Sequence, residues 1–138
     1  MPPGIHPATW HDLEQRFGTD QHRRRLLSGV HRVLQALAAA GCSTAYIDGS
    51  FVTSKTAPSD YDGAWEMAGV DLQRLEAVEP VLFDFSNRRA AQKAKFFGEM
   101  FPAEFDEGNT GKAFLEFFQQ DKNTGAAKGI VAIDLRTL

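Results

Sequence analysis

Residues 44–66, TAYIDGSFVTSKTAPSDYDGAWE, hold the side chains best spaced for chemistry. Asp60 and Asp62 open an apolar run. Side chains two residues apart on a strand project from one face. Two carboxylates so placed can hold Mg²⁺ or Mn²⁺, and the metal in turn can bind a triphosphate. Upstream, Gly49-Ser50 closes an earlier apolar run. A glycine there lets backbone approach an anion closely, and a helical turn after it offers free N–H groups. Lys55 lies between the two runs, and a lysine can meet phosphate as a point charge. The chemistry this set suits is phosphoryl or nucleotidyl transfer, which needs charge neutralisation and in-line positioning more than covalent work. The plainer reading of the same residues is a polar turn before an edge strand, with both aspartates solvated.

The elements around this stretch follow from periodicity and caps. Residues 1–8 contain three prolines and read as an extended arm. Thr9 caps a short helix to Arg16, and Asp20 caps a longer one to about Ala40, with Leu26, Leu27, Val30, Val33, Leu34 and Leu37 at helical spacing. Cys42–Asp48 and Asp60–Met67 read as strands, with a helical turn over Phe51–Thr56 between them. Asp71–Val78 is a helix ended by Pro80, and Val81–Phe85 a short strand or buried loop. Ser86 caps a helix to about Phe97, Glu99–Phe105 is extended, Thr110 caps a last helix to about Gln120, and Gly129–Leu135 is a β-rich run. Interleaved in this way, the elements predict an α/β (α+β) domain: a mixed β-sheet flanked by helices, mainly on one side.

The whole chain sets further bounds. Its 138 residues make a single domain, 1–138, able to build a core without staples. A net charge of −3 argues against a sequence-blind nucleic-acid binder, and no sequence-specific DNA binding is expected. Cys42 is the only cysteine, which excludes a disulfide framework and a zinc-binding cysteine set and fits a reducing cytoplasm. No apolar stretch is long enough to span a membrane, and the Met-Pro-Pro-Gly start lacks the charged and apolar regions of a signal peptide. The phenylalanines from Phe96 to Phe118, together with Trp65, read as core. Arg23-Arg24-Arg25 and Arg88-Arg89 read as solvated helix starts that could also guide an anionic acceptor. Lys122 and Lys128 flank a turn, and the four histidines show no ligand spacing.

The order strand, Gly49-Ser50, helical turn, strand with Asp60-Tyr61-Asp62 resembles the nucleotidyltransferase superfamily of polymerase-β-like fold, above all its minimal bacterial members. The chain as a whole resembles an uncharacterised bacterial family built on that domain. The resemblance implies a nucleotidyltransferase-like fold, metal sites at Asp60 and Asp62, and a triphosphate held by Gly49 and Ser50. It implies transfer of a nucleoside monophosphate from an NTP to a hydroxyl. Some minimal members are toxin components that modify a protein or tRNA and are governed by an antitoxin. Asp48 departs from the family pattern, which has an apolar residue before the Gly-Ser; it could join the metal shell or cap the following turn.

The superfamily also uses a third carboxylate from a later strand. Glu99, between Gly98 and Met100, ranks first; Asp134 in Val-Ala-Ile-Asp-Leu and Glu104 in Pro-Ala-Glu-Phe are the rivals. Each interrupts an apolar run, where an unpaired charge is costly. The expected catalytic set is therefore Asp60, Asp62 and Glu99. The alternative class is a non-catalytic nucleotide- or metal-binding module, or a protein-interaction module on the same fold.

Overall fold

The chain runs through β1 (Gly4–Ala8), α1 (Trp10–Phe17), α2 (Gln21–Ala39), β2 (Thr44–Asp48), β3 (Tyr61–Trp65), α3 (Leu72–Val78), α4 (Ser86–Phe96), β4 (Gly98–Pro102), α5 (Phe114–Phe117) and β5 (Gly129–Asp134). Short 3₁₀ turns lie at Pro80–Phe83 and Leu135–Thr137. This computed structural model describes residues 2–48, 60–121 and 124–138. The strands form one mixed sheet in the order β1-β5-β2-β3-β4. β2 runs antiparallel to both β3 and β5, whereas β3–β4 and β1–β5 are parallel pairs.

The sheet has two unlike faces. Ala45, Ile47, Tyr61, Trp65, Met100, Val131 and Ile133 meet the apolar stripe of α2 and the inner residues of α1, α3 and α4 in the main core. The opposite face carries Tyr46, Ala64, Phe101 and Ile130 under Phe118 and Ala103, a smaller cluster closed by the α5 segment. Trp65, Phe96, Phe101 and Phe118 are buried as expected, and Phe97, Phe114 and Phe117 pack against the cores; Phe105 is 50% exposed, and Phe85, outside that set, is 40% exposed.

Close packing on the helical face fixes the strands that matter for the site. A Cβ on Gly98 would lie 2.6 Å from the Tyr61 ring, and one on Gly63 would lie 2.4 Å from the Met100 sulfur. Tyr61 therefore covers a notch that only glycine leaves open. Helix α2 approaches α4 so closely at Gly29 that a Cβ there would meet the Phe96 carbonyl oxygen at 1.9 Å. The edge strand β4 is secured from α4: the buried Gln92 amide oxygen accepts a hydrogen bond from Met100 N–H at 2.8 Å. That contact satisfies a backbone donor at a sheet edge.

Three expectations need correction. The N-terminal arm is a strand, β1, paired along its length with β5; Pro7, which lacks an N–H, is tolerated because β1 is an edge. Ser86 does not cap α4, because its N–H and hydroxyl both donate to Asp84 Oδ1, at 3.1 and 2.6 Å. The next three residues, Asn87, Arg88 and Arg89, then take left-handed backbone with φ of 50°, 54° and 60°. Thr110 caps no long helix. Glu107 captures the N–H groups of Asn109 and Thr110, Gly111 turns the chain at φ 73°, and only Phe114–Phe117 is helical. The expected turn over Phe51–Thr56 lies outside the described residues. No helix among the described residues is long and apolar enough to cross a membrane.

Tyr61 yields a stability prediction. Its hydroxyl is buried with no hydrogen-bond partner among the described residues. Burial first, and the adjacent Asp62 carboxylate second, push the phenol well above the ordinary tyrosine range. Tyr61→Phe should therefore stabilise the fold by about 1 kcal/mol at pH 7. The folded phenol stays protonated, while the unfolded one ionises near pH 10. Its stabilising protonation is thus complete below pH ~10 and lost above it. Burial likewise pushes the Cys42 thiol up to about 11, but that contribution is common to both proteins. Urea denaturation should show the variant's advantage growing between pH 7 and pH ~10.5; a constant or reversed difference would contradict this account of Tyr61.

Candidate functional site

The register of three neighbouring strands assembles the site. Across β2–β3, Asp48 pairs with Asp62; across β3–β4, Asp62 pairs with Glu99. Residues directly paired across a sheet share a face, about 5 Å apart at their Cα atoms. Three acids from three strands therefore form one row at one end of the sheet. Asp60 directly precedes β3, and strand alternation carried one residue back would place it on the side of Asp62. The row lies on the face away from α2, since the alternating neighbours Ile47, Tyr61 and Met100 all belong to the main core.

Burial and charge differ along the row. Asp48 and Glu99 are only 3% and 8% exposed, whereas Asp60 and Asp62 are partly exposed. Buried carboxylates require compensation, and cations supply it from both flanks. Lys128, immediately before β5, places its Nζ 3.1 Å from Asp48 Oδ1. On the other flank Lys93 Nζ lies 3.0 Å and Arg89 Nη2 3.4 Å from Glu99 Oε1. Arg89 and Lys93 stand four residues apart on α4, so they reach the edge strand together. The Arg89 guanidinium also lies over the Phe101 ring, 5.6 Å from its centroid. The left-handed turn over residues 87–89 sets its approach.

Of the acids considered for a third position, Glu99 is the one beside Asp62. Asp134 pairs in register with Thr44, at the other end of β2 from Asp48. Its carboxylate accepts from the Arg136 side chain at 2.8 and 2.9 Å and from Arg136 N–H at 3.0 Å, which holds its pKa down at about 2. Glu104 accepts from Met67 N–H at 3.1 and 3.2 Å, beyond the far end of β3. Gly49, Ser50 and Lys55, expected to hold nucleotide, lie outside the described residues, as does Lys122. Asp48 was weighed as a metal ligand or a turn cap; it faces Asp62 and pairs with Lys128. Sequence spacing does not single out Lys93, and it marks Arg89 only as part of a solvated or guiding cluster. The signal available was a pair of cations at i and i+4 on the helix that leads directly into Glu99.

Carboxylate oxygens are the donors Mg²⁺ and Mn²⁺ prefer. Among the described residues, no three His, Cys, Asp or Glu side chains are grouped so as to hold a metal ion by themselves. Asp60 and Asp62, the pair to which the resemblance assigns the metal, would need phosphate oxygens and water to complete a magnesium shell. Asp48 and Glu99, occupied by cations, flank that site.

The two ends of the sheet differ in how strongly their ion pairs should couple to stability. In double-mutant cycles followed by urea denaturation, Asp48→Asn with Lys128→Met should show a coupling of more than ~1 kcal/mol, because Asp48 is nearly inaccessible. Asp134→Asn with Arg136→Met, an exposed pair, should couple much more weakly. Equal couplings would mean that burial does not set the strength of the Asp48–Lys128 pair.

No curated protein and no solved structure matches this chain. A family model does match, over residues 1–134, nearly its full length. The chain therefore belongs to the family of unknown function DUF6932.

Proposed function

We propose that this protein is a metal-dependent nucleotidyltransferase, moving a nucleoside monophosphate from an NTP to a hydroxyl on a protein or RNA. The observation that carries the reading is the single row of Asp48, Asp62 and Glu99 across three strands, with Asp60 directly before β3. Asp60 and Asp62 would hold Mg²⁺ or Mn²⁺. The metal would neutralise phosphate oxygens and the developing negative charge of transfer. Gly49-Ser50 follows Asp48 directly in sequence, so the triphosphate-binding segment implied by the family resemblance begins where the row begins.

The chain's own cations complete the reading. Arg89, Lys93 and Lys128 balance Asp48 and Glu99. All three are only partly buried, with side chains 31–43% exposed, so they can turn toward phosphates without unpacking the core. Attack by the acceptor oxygen on the α-phosphorus forms one P–O bond and breaks the bond to pyrophosphate. The hydroxyl proton passes to a carboxylate of the row, and the cations meet the charge of the departing pyrophosphate. Transfer to a toxin target, and control by an antitoxin, are part of the proposal on resemblance alone.

A second reading has an observation of its own. Both flanking carboxylates are already paired with cations, and no three metal-ligating side chains are grouped among the described residues. That arrangement also suits a nucleotide-binding module without catalysis.

Two measurements separate the readings. Millimolar Mg²⁺ with an NTP should raise the melting temperature by mass action, and Asp60→Asn with Asp62→Asn should abolish that shift while leaving the fold intact. With α-labelled NTP and cell lysate, label should move onto protein or RNA with release of pyrophosphate. Glu99→Gln should cut transfer by about a hundredfold or more, an effect typical of losing a group engaged in the transition state, while Asp134→Asn and Glu104→Gln should be milder. A metal-dependent shift without transfer to any acceptor pool would favour the binding module. No shift with any NTP would contradict both readings.

A further inference from the structure

We infer that the hollow beside Arg89 is a stacking slot for the base of the bound nucleotide, an inference that rests on the nucleotidyltransferase reading. Phe85, Arg89, Phe101, Pro102, Phe105 and Phe114 line this hollow of about 220 Å³. That is below the range for whole drug-sized ligands and suits a ring system rather than an entire nucleotide.

Its inner rings are already stacked on one another, and the open ring surface is that of Phe85 and Phe105. Phe101 and Phe114 stack with centroids 4.1 Å apart and planes 8° from parallel, and Phe85 is 9° from parallel to Phe101 at 5.9 Å. Phe85 and Phe105, at 40% and 50% exposed, are unusually open for phenylalanines and form the rim. A planar ring entering here gains ring faces without disturbing the main core, because Phe101 belongs to the separate cluster on the other sheet face.

Arg89 ties the hollow to the acid row. It lines the hollow, lies over Phe101, and donates to Glu99 at 3.4 Å. Its Nε is buried with no hydrogen-bond acceptor among the described residues. Phe101 follows Glu99 by two residues on β4 and so shares its face. A ligand with its phosphates at the row can therefore lay an attached ring in the hollow that Phe101 lines, on the exposed Phe85 and Phe105. That combination of cations at one end and parallel rings at the other fits a nucleotide better than an apolar peptide or a second copy of the chain. The described lining offers no side-chain hydrogen-bond acceptor and only the Arg89 guanidinium as donor. Recognition should thus follow stacking area, purine over pyrimidine, with little choice between adenine and guanine.

Calorimetric titration of the full chain with Mg²⁺ tests this, using non-hydrolysable ATP, GTP and UTP analogues and inorganic tripolyphosphate. The ATP analogue should bind about tenfold more tightly than tripolyphosphate, the effect of one stacked base, with GTP close to ATP and UTP weaker. Phe85→Ala and Phe105→Ala remove exposed side chains and should each bring ATP toward the tripolyphosphate level without changing tripolyphosphate binding. Equal affinity for ATP and tripolyphosphate, or ATP binding untouched by both variants, overturns the slot and leaves the nucleotidyltransferase reading standing. Failure of every ligand to bind overturns both. A self-association lost in Phe105→Ala, with nucleotide affinity unchanged, would assign the hollow to a second copy and overturn the slot.

Discussion

Strand register is the constraint on which the rest depends. β2 and β3 are aligned so that Asp48 meets Asp62, and β3 and β4 so that Asp62 meets Glu99. A shift of one residue in either pairing would send an acid to the helical face, among Ile47, Tyr61 and Met100. The helical face forbids that shift. Tyr61 fills the notch at Gly98, Met100 fills the notch at Gly63, and Gln92 holds the Met100 N–H. The apolar side of the sheet thus determines where the charged side concentrates its carboxylates.

Concentrating charge has an electrostatic consequence. Like charges on adjacent strands repel, and buried carboxylates lose hydration. The chain answers with Lys128 on one flank and with Arg89 and Lys93 on the other. The answer brings a backbone cost, since Arg89 ends a run of three non-glycine residues in left-handed conformation. Strain of that kind persists where surrounding contacts over-determine it, and it clusters at functional sites. Here the contacts are the Glu99 ion pair and the Phe101 ring, so the strained turn links the acid row to the aromatic hollow.

Much of the architecture was legible from local signals. The caps Thr9 and Asp20 hold the helices they were expected to hold, the strands around Asp48 and Asp62 lie within the expected runs, and β4 starts one residue before its own. The mixed sheet flanked by helices follows from their alternation. What sequence spacing could not give was pairing: nothing local says that Asp48 faces Asp62 or that Lys128 reaches across to Asp48. Competition between side chains for backbone groups also defeated the caps at Ser86 and Thr110, where Asp84 and Glu107 captured the donors first. The arm at residues 1–8 became β1 because β5 offered an edge, a fact of tertiary contact invisible in a proline-rich segment.

The proposed reading requires Asp60 and Asp62 to form a divalent-cation site completed by the phosphates of an NTP. Anomalous scattering from crystals grown with Mn²⁺ and a non-hydrolysable NTP tests it most directly. The account predicts manganese bound to both the Asp60 and Asp62 carboxylates and to phosphate oxygens, with the triphosphate beside Gly49-Ser50. Manganese and nucleotide absent from the row at millimolar concentration, with Lys93 and Lys128 still on Glu99 and Asp48, would contradict it.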